Sequence, residues 1–445
     1  VVVDGATLTI EPGAIIRFNA NTSLYIGYQA SQAGATLMAN GTAEKMITFT
    51  SSAATKSAGD WHYIWFDEGA SEISSMQYCT VEYGGGYSDR YGAIHVQQSA
   101  VSISHSTVNL SESHGISLAE DGYFEAFTNN LVEQNALSSI SIEANYAHTI
   151  GEGNTLTSEK GISVKGGILE MAEVTWLKQS TAYVIESNLN VGSSSGTSLS
   201  LAPGVEIKMG LGVAIYFGRN NNFGTLTAVG TAENRIKITS SAQEGAKSAG
   251  DWDYLYFDPG AGTSSVLAYC DIEYGGGYSA SYGMIHLNGS GISVTNSAIS
   301  HSETVGISLK EDAMFTECAD NAFEDNTSAP VKIYGNYAHT IGTGNSFNTG
   351  PGILVSGDNI EQSEVTWLKH EIPYILEGDM ELGSSSGSKL TIEPGATVNF
   401  ASGTWFRVGA ATGAFGVLVA DGTPENKITF SSAAPSGFES AGDWD

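Results

Sequence analysis

The string EYGGGYS occupies residues 82–88 and recurs unchanged at 273–279, an offset of 273 − 82 = 191 residues. SAGDW at 57–61 returns at 248–252, and again at 440–444 after a one-residue insertion. NYAHTIG fills 145–151 and 336–342, EVTWLK 173–178 and 364–369, and GSSSG 192–196 and 383–387. LTIEPGA at 8–14 comes back as LSLAPGV at 199–205 and as LTIEPGA at 390–396. No net insertion separates the first two copies. The chain therefore reads as copy 1 over 1–198 (repeat 8–198), copy 2 over 199–389, and the start of a third copy over 390–445 in an array expected to continue beyond the chain end. A chain of this kind folds by stacking like upon like, each segment covering the apolar face of its neighbour.

Within a copy the pattern is short apolar alternation broken by turns, as in ATLMANGTAEKMITFTSS at 35–52, with little helical periodicity. Runs such as IIRF, MITF, YIWF, YCTV, VSIS and SISI recur roughly every 20–25 residues, the length of one solenoid coil. Eight or nine coils of this size fit one copy, which would advance roughly 40 Å with strands about 4.8 Å apart. The abundant Ser, Thr and Asn suit hydrogen-bonded ladders at equivalent bends. The predicted fold is all-β: a right-handed parallel β-helix (β-solenoid) built from tandem 191-residue units.

LTIEPGAIIRF, GTAEKMITFTSS, GDWHYIWFDEGA and YCTVEYGGG together resemble the right-handed parallel β-helix segments of large surface-exported bacterial adhesin and filament proteins, of the kind that use type IX secretion. The resemblance spans essentially the whole chain. It implies a structural or adhesive segment of a giant extracellular, cell-surface protein, with a prey-catching appendage among the narrower roles. The same fold also hosts polysaccharide lyases and glycosidases, so fold alone does not fix function.

Charge narrows the partners. With 48 acidic and 18 basic residues the formal net charge is −30, which argues against nucleic acid and against an anionic membrane surface. No apolar run is long enough to span a membrane. Such a surface could gather calcium loosely, but no cofactor is implied and the glycine-rich nonapeptide calcium repeat is missing. The expected partners are other copies of the chain, in a homo-oligomer or filament, and cell-surface glycans. Cys79 and Cys270 hold one repeated position (270 − 79 = 191) and Cys318 faces Phe127 in the other copy, a pattern that favours three buried free thiols over a disulfide framework.

Four features invite a chemical reading. The triple glycine of EYGGGYS leads back into a strand pattern rather than into a helix N-terminus, so a corner fits better than a phosphate cradle. In GDWHYIWFD and GDWDYLYFD, alternation puts Ile64 and Phe66, or Leu255 and Phe257, inward. That leaves Trp61, Tyr63 and Trp65, and in copy 2 Trp252, Tyr254 and Tyr256, as an outward aromatic face for sugars or a protein partner. Tyr83 and Tyr87, with Tyr274 and Tyr278, could edge the same surface. No catalytic residue is assigned: carboxylates such as Asp60, Asp67, Glu82, Asp251 and Glu273 recur in both copies, as expected of a spacer or multivalent binder. The histidines show no metal-site spacing, and His148 and His339 read as hydrogen-bonded turn residues.

Overall fold

The computed structural model describes residues 1–28, 34–348, 350–409 and 413–444. The chain divides into two compact units, Val1–Leu189 with Ser200–Lys208, and Asn190–Leu199 with Met209–Asp445. Each is a right-handed parallel β-helix.

Three parallel sheets run along most of the first unit, and Gly167–Leu169 and Glu173–Trp176 begin two others. One joins Thr7–Ile10, Thr36–Asn40, Ser75–Gln77, Ala100–Ser104 and Tyr123–Thr128. A second joins Ile15–Phe18, Ile47–Ser51, Cys79–Glu82, Thr107–Asn109, Leu131–Glu133 and Thr155–Leu156. The third, which carries the site below, joins Leu24–Ile26, Ile64–Phe66, Ile94–Gln97, Ile116–Ala119, Ile140–Glu143, Ile162–Lys165 and Tyr183–Ile185. The corresponding sheet of the second unit runs Ile215–Phe217, Leu255–Phe257, Gly283–Asn288, Val305–Lys310, Ala329–Tyr334, Ile353–Ser356 and Tyr374–Leu376.

Register is set by stacking identical shapes. Leu24, Ile64, Ile94, Ile116, Ile140 and Ile162 pair in succession, one β-branched or branched side chain above the next. All of these but Leu24 are fully buried, each worth about 1.5–3 kcal/mol of apolar burial. A one-residue slip would turn the whole ladder outward. Cys79, Cys270 and Cys318 are free and buried, and burial pushes each thiol up to about 12.

At the corners asparagines form a second ladder. The Ser106 N–H donates to Asn130 Oδ1 at 3.0 Å, the Asn130 N–H donates to Asn154 Oδ1 at 3.0 Å, and Asn130 Nδ2 donates to the Ile103 carbonyl at 2.9 Å. Asn321 and Asn345 repeat the arrangement. These side chains satisfy backbone groups that the bends leave without a strand partner.

Coil length departs from the expected 20–25 residues where it matters. Leu24 pairs with Ile64 and Ile64 with Ile94, steps of 40 and 30 residues (64 − 24, 94 − 64), before the spacing falls to 22 at Ile116. Ile215, Leu255, Ile285 and Ile307 give the same 40, 30 and 22. The surplus residues leave the coil as loops, among them SAGDW and EYGGGYS. Gly85 has φ +82° and Gly276 φ +89°, while a Cβ on Gly86 would run into the carbonyl of Gly59. The triple glycine is thus a corner packed on the neighbouring loop, fastened by Gly86 N–H to the Trp61 carbonyl at 3.1 Å.

Trp61 and Trp252 correct the alternation reading. Both are fully buried, and each indole Nε1 donates to a glutamate carbonyl, Glu82 or Glu273, at 2.9 Å. Trp61 also stacks on Phe18 with centroids 4.1 Å apart. The two tryptophans precede their strands, in a bend where period-2 alternation no longer applies. They pin the SAGDW loop to the EYGGGYS corner and offer no surface to a partner.

Candidate functional site

The outward face of the third sheet gathers aromatic rings from three successive coils. Tyr25, Trp65 and His95 are directly paired neighbours, and so are Tyr216, Tyr256 and His286. Tyr63 and Tyr254 lead into the middle strand, and the loop after the triple glycine folds Tyr87 and Tyr91, or Tyr278 and Tyr282, onto the same face. In the first unit Tyr63 meets Tyr25, Trp65, Tyr87 and Tyr91 at centroid distances of 5.3–5.8 Å. In the second, Tyr254 meets Tyr216, Tyr256, Tyr278 and Tyr282 at 5.2–5.9 Å. The pairs are tilted or edge-to-face, the arrangement that aromatic quadrupoles favour.

Each patch has a hydrogen-bonded floor and an exposed lip. Tyr25 and Tyr63 join hydroxyls at 3.2 Å, Tyr216 and Tyr254 at 3.1 Å. Tyr63 and Tyr254 are only 2% and 4% exposed, which corrects their reading as outward contacts: the loop tyrosines cover them. Tyr87 and Tyr278 are 55% and 56% exposed, and Trp65 and Tyr256 are half-buried. Tyr83 and Tyr274 adopt positive φ and turn elsewhere, Tyr83 toward Lys56 and Tyr274 toward Lys247 and His301. Of the ten residues singled out from sequence, six therefore come together: Tyr63, Trp65 and Tyr87, and Tyr254, Tyr256 and Tyr278. Sequence reasoning missed Tyr25, Tyr91, Tyr216, Tyr282 and the two histidines. The available signal was the tail of the glycine motif, YGGGYSDRYG and YGGGYSASYG, with a tyrosine at the same place in each copy.

Residues 1–104 match the family model described as a pectate-lyase-like beta helix domain. That pectate-lyase-like segment is 104 of 445 residues and contains every member of the first patch, from Tyr25 to His95. Comparison with curated proteins and comparison with solved structures give no match.

The rings themselves are uncharged, and one guanidinium borders each patch: Arg219 lies 4.1 Å over the Tyr216 ring and Arg90 5.8 Å over the Tyr91 ring. Burial, with a neighbouring tyrosine hydrogen-bonded beside it, pushes the Tyr63 and Tyr254 phenols well up. Burial likewise pulls the His95 imidazole down to about 4 and His286 to about 3. His95 and His286 are each 1% exposed although their side chains lie on the outer face, because Tyr91 and Tyr282 close over them at 4.6 and 4.3 Å. Serine holds each ring from below: Ser117 Oγ lies 2.8 Å from His95 Nδ1, and Ser308 Oγ 2.6 Å from His286 Nδ1. Among the described residues no group of three or more His, Cys, Asp or Glu could hold a metal ion. Nor is any helix among the described residues long and apolar enough to cross a membrane. His148 and His339 sit in short 3-10 turns with Nδ1 bonded to the Asn145 and Asn336 carbonyls.

An uncharged floor of rings with hydroxyls at its edge matches a sugar's two kinds of surface. The C–H face of a pyranose packs on the rings and its hydroxyls meet the phenol groups.

Proposed function

We propose that this chain is a structural and glycan-binding segment of an extracellular surface protein. Its β-helix serves as a stiff support, its aromatic patches hold sugar rings, and its copies associate with one another in filaments or attachment appendages. The observation that carries this reading is that the same tyrosine-lipped patch of aromatic rings is built at two places 191 residues apart in sequence. Two weak sites on one chain multiply in effect when both engage one surface. A net charge of −30 opposes self-association at low salt, so assembly should strengthen as salt screens it.

The test is titration of the whole chain with neutral oligosaccharides, namely cellohexaose, xylohexaose and chitohexaose, followed by calorimetry. At least one should occupy two sites per chain. The double variant Tyr87→Ala/Tyr278→Ala should lose about tenfold in affinity while melting as the parent does. Unchanged binding in that variant, or no binding of any neutral glycan, would overturn the patch reading.

A polysaccharide-cleaving enzyme is the second reading, favoured by the pectate-lyase-like match over residues 1–104, which include the neutral His95. Incubation with polygalacturonate, alginate and neutral polymers, with assay for unsaturated and reducing ends, decides between the two. Steady turnover that His95→Gln abolishes would make the chain an enzyme.

A further inference from the structure

Beside the second patch lies a cleft of about 330 Å³, lined in part by Tyr282, His286, Ser308, Lys310, Lys332 and Tyr334. That volume is near the lower end of the roughly 300–1,000 Å³ usual for small-molecule sites. Its deepest polar group is unsatisfied: His286 is 99% buried (100 − 1), and its Nε2 has no hydrogen-bond partner among the described residues. The hydrogen-bond chain fixes what that atom offers. The Gly283 N–H donates to Ser308 Oγ at 2.6 Å, and His286 Nδ1, also at 2.6 Å, is the only other hydrogen-bond partner of that oxygen among the described residues, so the Ser308 hydroxyl is assigned as the donor to Nδ1. The ring proton of the neutral imidazole is then on Nε2, a buried donor with nothing to receive it.

The charged residues that line the cleft are both lysines. Lys332 is oriented by Glu377 at 2.8 Å, Lys310 is exposed, and Tyr282 and Tyr334 add phenol groups. The lining itself thus carries two ammonium groups and no carboxylate, although Glu377 pairs with Lys332 and Asp258 and Glu311 lie nearby.

The equivalent place in copy 1 differs at the ring nitrogen and in its neighbouring charges. Gln97 Oε1 stands 3.4 Å from His95 Nε2 and receives it. In copy 2 that position is Asn288, one methylene shorter, whose amide instead donates to Asp258 at 3.3 Å. Lys310 and Lys332 correspond to Ala119 and Ser141, and Tyr334 to Glu143 (334 − 191 = 143). Copy 1 has its own cations near His95, Lys165 and Arg90 in place of Ser356 and Ser281, but Lys165 Nζ donates to the Leu118 carbonyl at 3.3 Å and Arg90 pairs with Glu120 at 3.6 Å.

We propose that the cleft beside His286 binds the acidic substituent, carboxylate or sulfate, of a sugar whose ring lies on the adjoining aromatic patch, and that the first patch takes neutral sugar only. The proposal rests on the glycan-binding reading and assigns it an asymmetry. Lys310 and Lys332 supply the charge attraction, and Nε2–H of His286 supplies a directed donor to one anionic oxygen. Entry requires the Tyr282 ring to swing aside, and the residues before it, Ala280 and Ser281, are exposed.

The experiment uses the whole chain with ¹⁵N-labelled histidine, titrated with D-glucuronate, glucose 6-sulfate, D-glucose and cellohexaose. Either acidic sugar should shift the Nε2 signal of His286 saturably and leave that of His95 in place. Glucose should need about tenfold higher concentration. Whichever acidic sugar acts identifies the substituent. Lys310→Ala should weaken the response several-fold with the Lys332–Glu377 pair left intact, and Lys310→Ala/Lys332→Ser by tenfold or more. Asn288→Gln, which supplies the acceptor found in copy 1, should also suppress it. Equal responses to glucose and the acidic sugars, equal shifts at His95 and His286, or no saturation would each overturn the proposal. If cellohexaose still binds through Tyr87 and Tyr278 while the acidic sugars show no preference, only this inference falls. If no sugar binds at all, both readings fall.

Discussion

His95 and His286 occupy the same place in their coils, on the strand after the aromatic row. Each takes a serine from the next coil at Nδ1 and lies under a tyrosine ring. Two residues further on they part: Gln97 meets the free ring nitrogen of His95, while Asn288 turns from His286 to Asp258. Beneath the difference, inward isoleucines and leucines pair at equivalent positions, with the same 40, 30 and 22-residue steps. Inward positions are held by volume, since a neighbour above and below must fit. Outward positions carry no such constraint, so chemistry can change there without touching the ladder. The pair of copies separates what the coil requires from what the surface is free to offer.

The largest effect should come from the shared framework. Trp61→Ala and Trp252→Ala each remove a fully buried indole and its hydrogen bond to a glutamate carbonyl, at a cost of about 3–5 kcal/mol. Urea denaturation should report similar losses. A loss below about 1 kcal/mol in one variant alone would break the equivalence of the two corners.

Protonation should come next. Burial lowers both histidines; Lys310 lowers His286 further, while at His95 the hydrogen bond from Gln97 opposes the lowering to which Lys165 and Arg90 add. A group depressed in the folded state leaves the unfolded chain to bind the proton first. Stability is therefore full above about pH 6.5 and falls as pH drops toward the folded values of about 4 and 3. The loss is on the order of 3 kcal/mol per ring. His95→Gln and His286→Gln should each flatten melting temperature against pH in that window, with the greater change from His286→Gln. A slope unaltered by either would show that the imidazoles charge without penalty.

The smallest effect sharpens the comparison most. Gln97→Asn should leave His95 Nε2 without its acceptor, and Asn288→Gln should supply one to His286. Stability should move in opposite directions, within about 1 kcal/mol, in thermal melts. Movement in the same direction would mean that the amide at this position does not answer the imidazole.

The coil was legible in the sequence because stacking leaves a periodic trace. Cys79 and Val81 point inward as their alternation indicates, and the NYAHTIG segment is the expected hydrogen-bonded turn. The site was legible only in part. Trp61 lies three residues before Ile64, beyond the strand, so the rule that places Trp65 correctly fails for it. Tyr25 and Tyr91 reach the patch from positions 40 residues before and 26 residues after Trp65 (65 − 25, 91 − 65), brought there by coil length and loop path. Neither distance is written in local pattern. The contrast between His95 and His286 turns on one methylene, which becomes meaningful only once the neighbouring rings are in place.

The asparagine ladder has a direction. Asn130 reaches back to the coil before it, accepting from Ser106 and donating to Ile103, and Asn154 in turn accepts from Asn130 and donates to Phe127. Each corner is therefore completed by the coil that follows it in sequence. A chain emerging N-terminus first from a ribosome finishes one coil as it lays down the next. Order of synthesis and order of closure coincide, and only the newest corner waits for its amide.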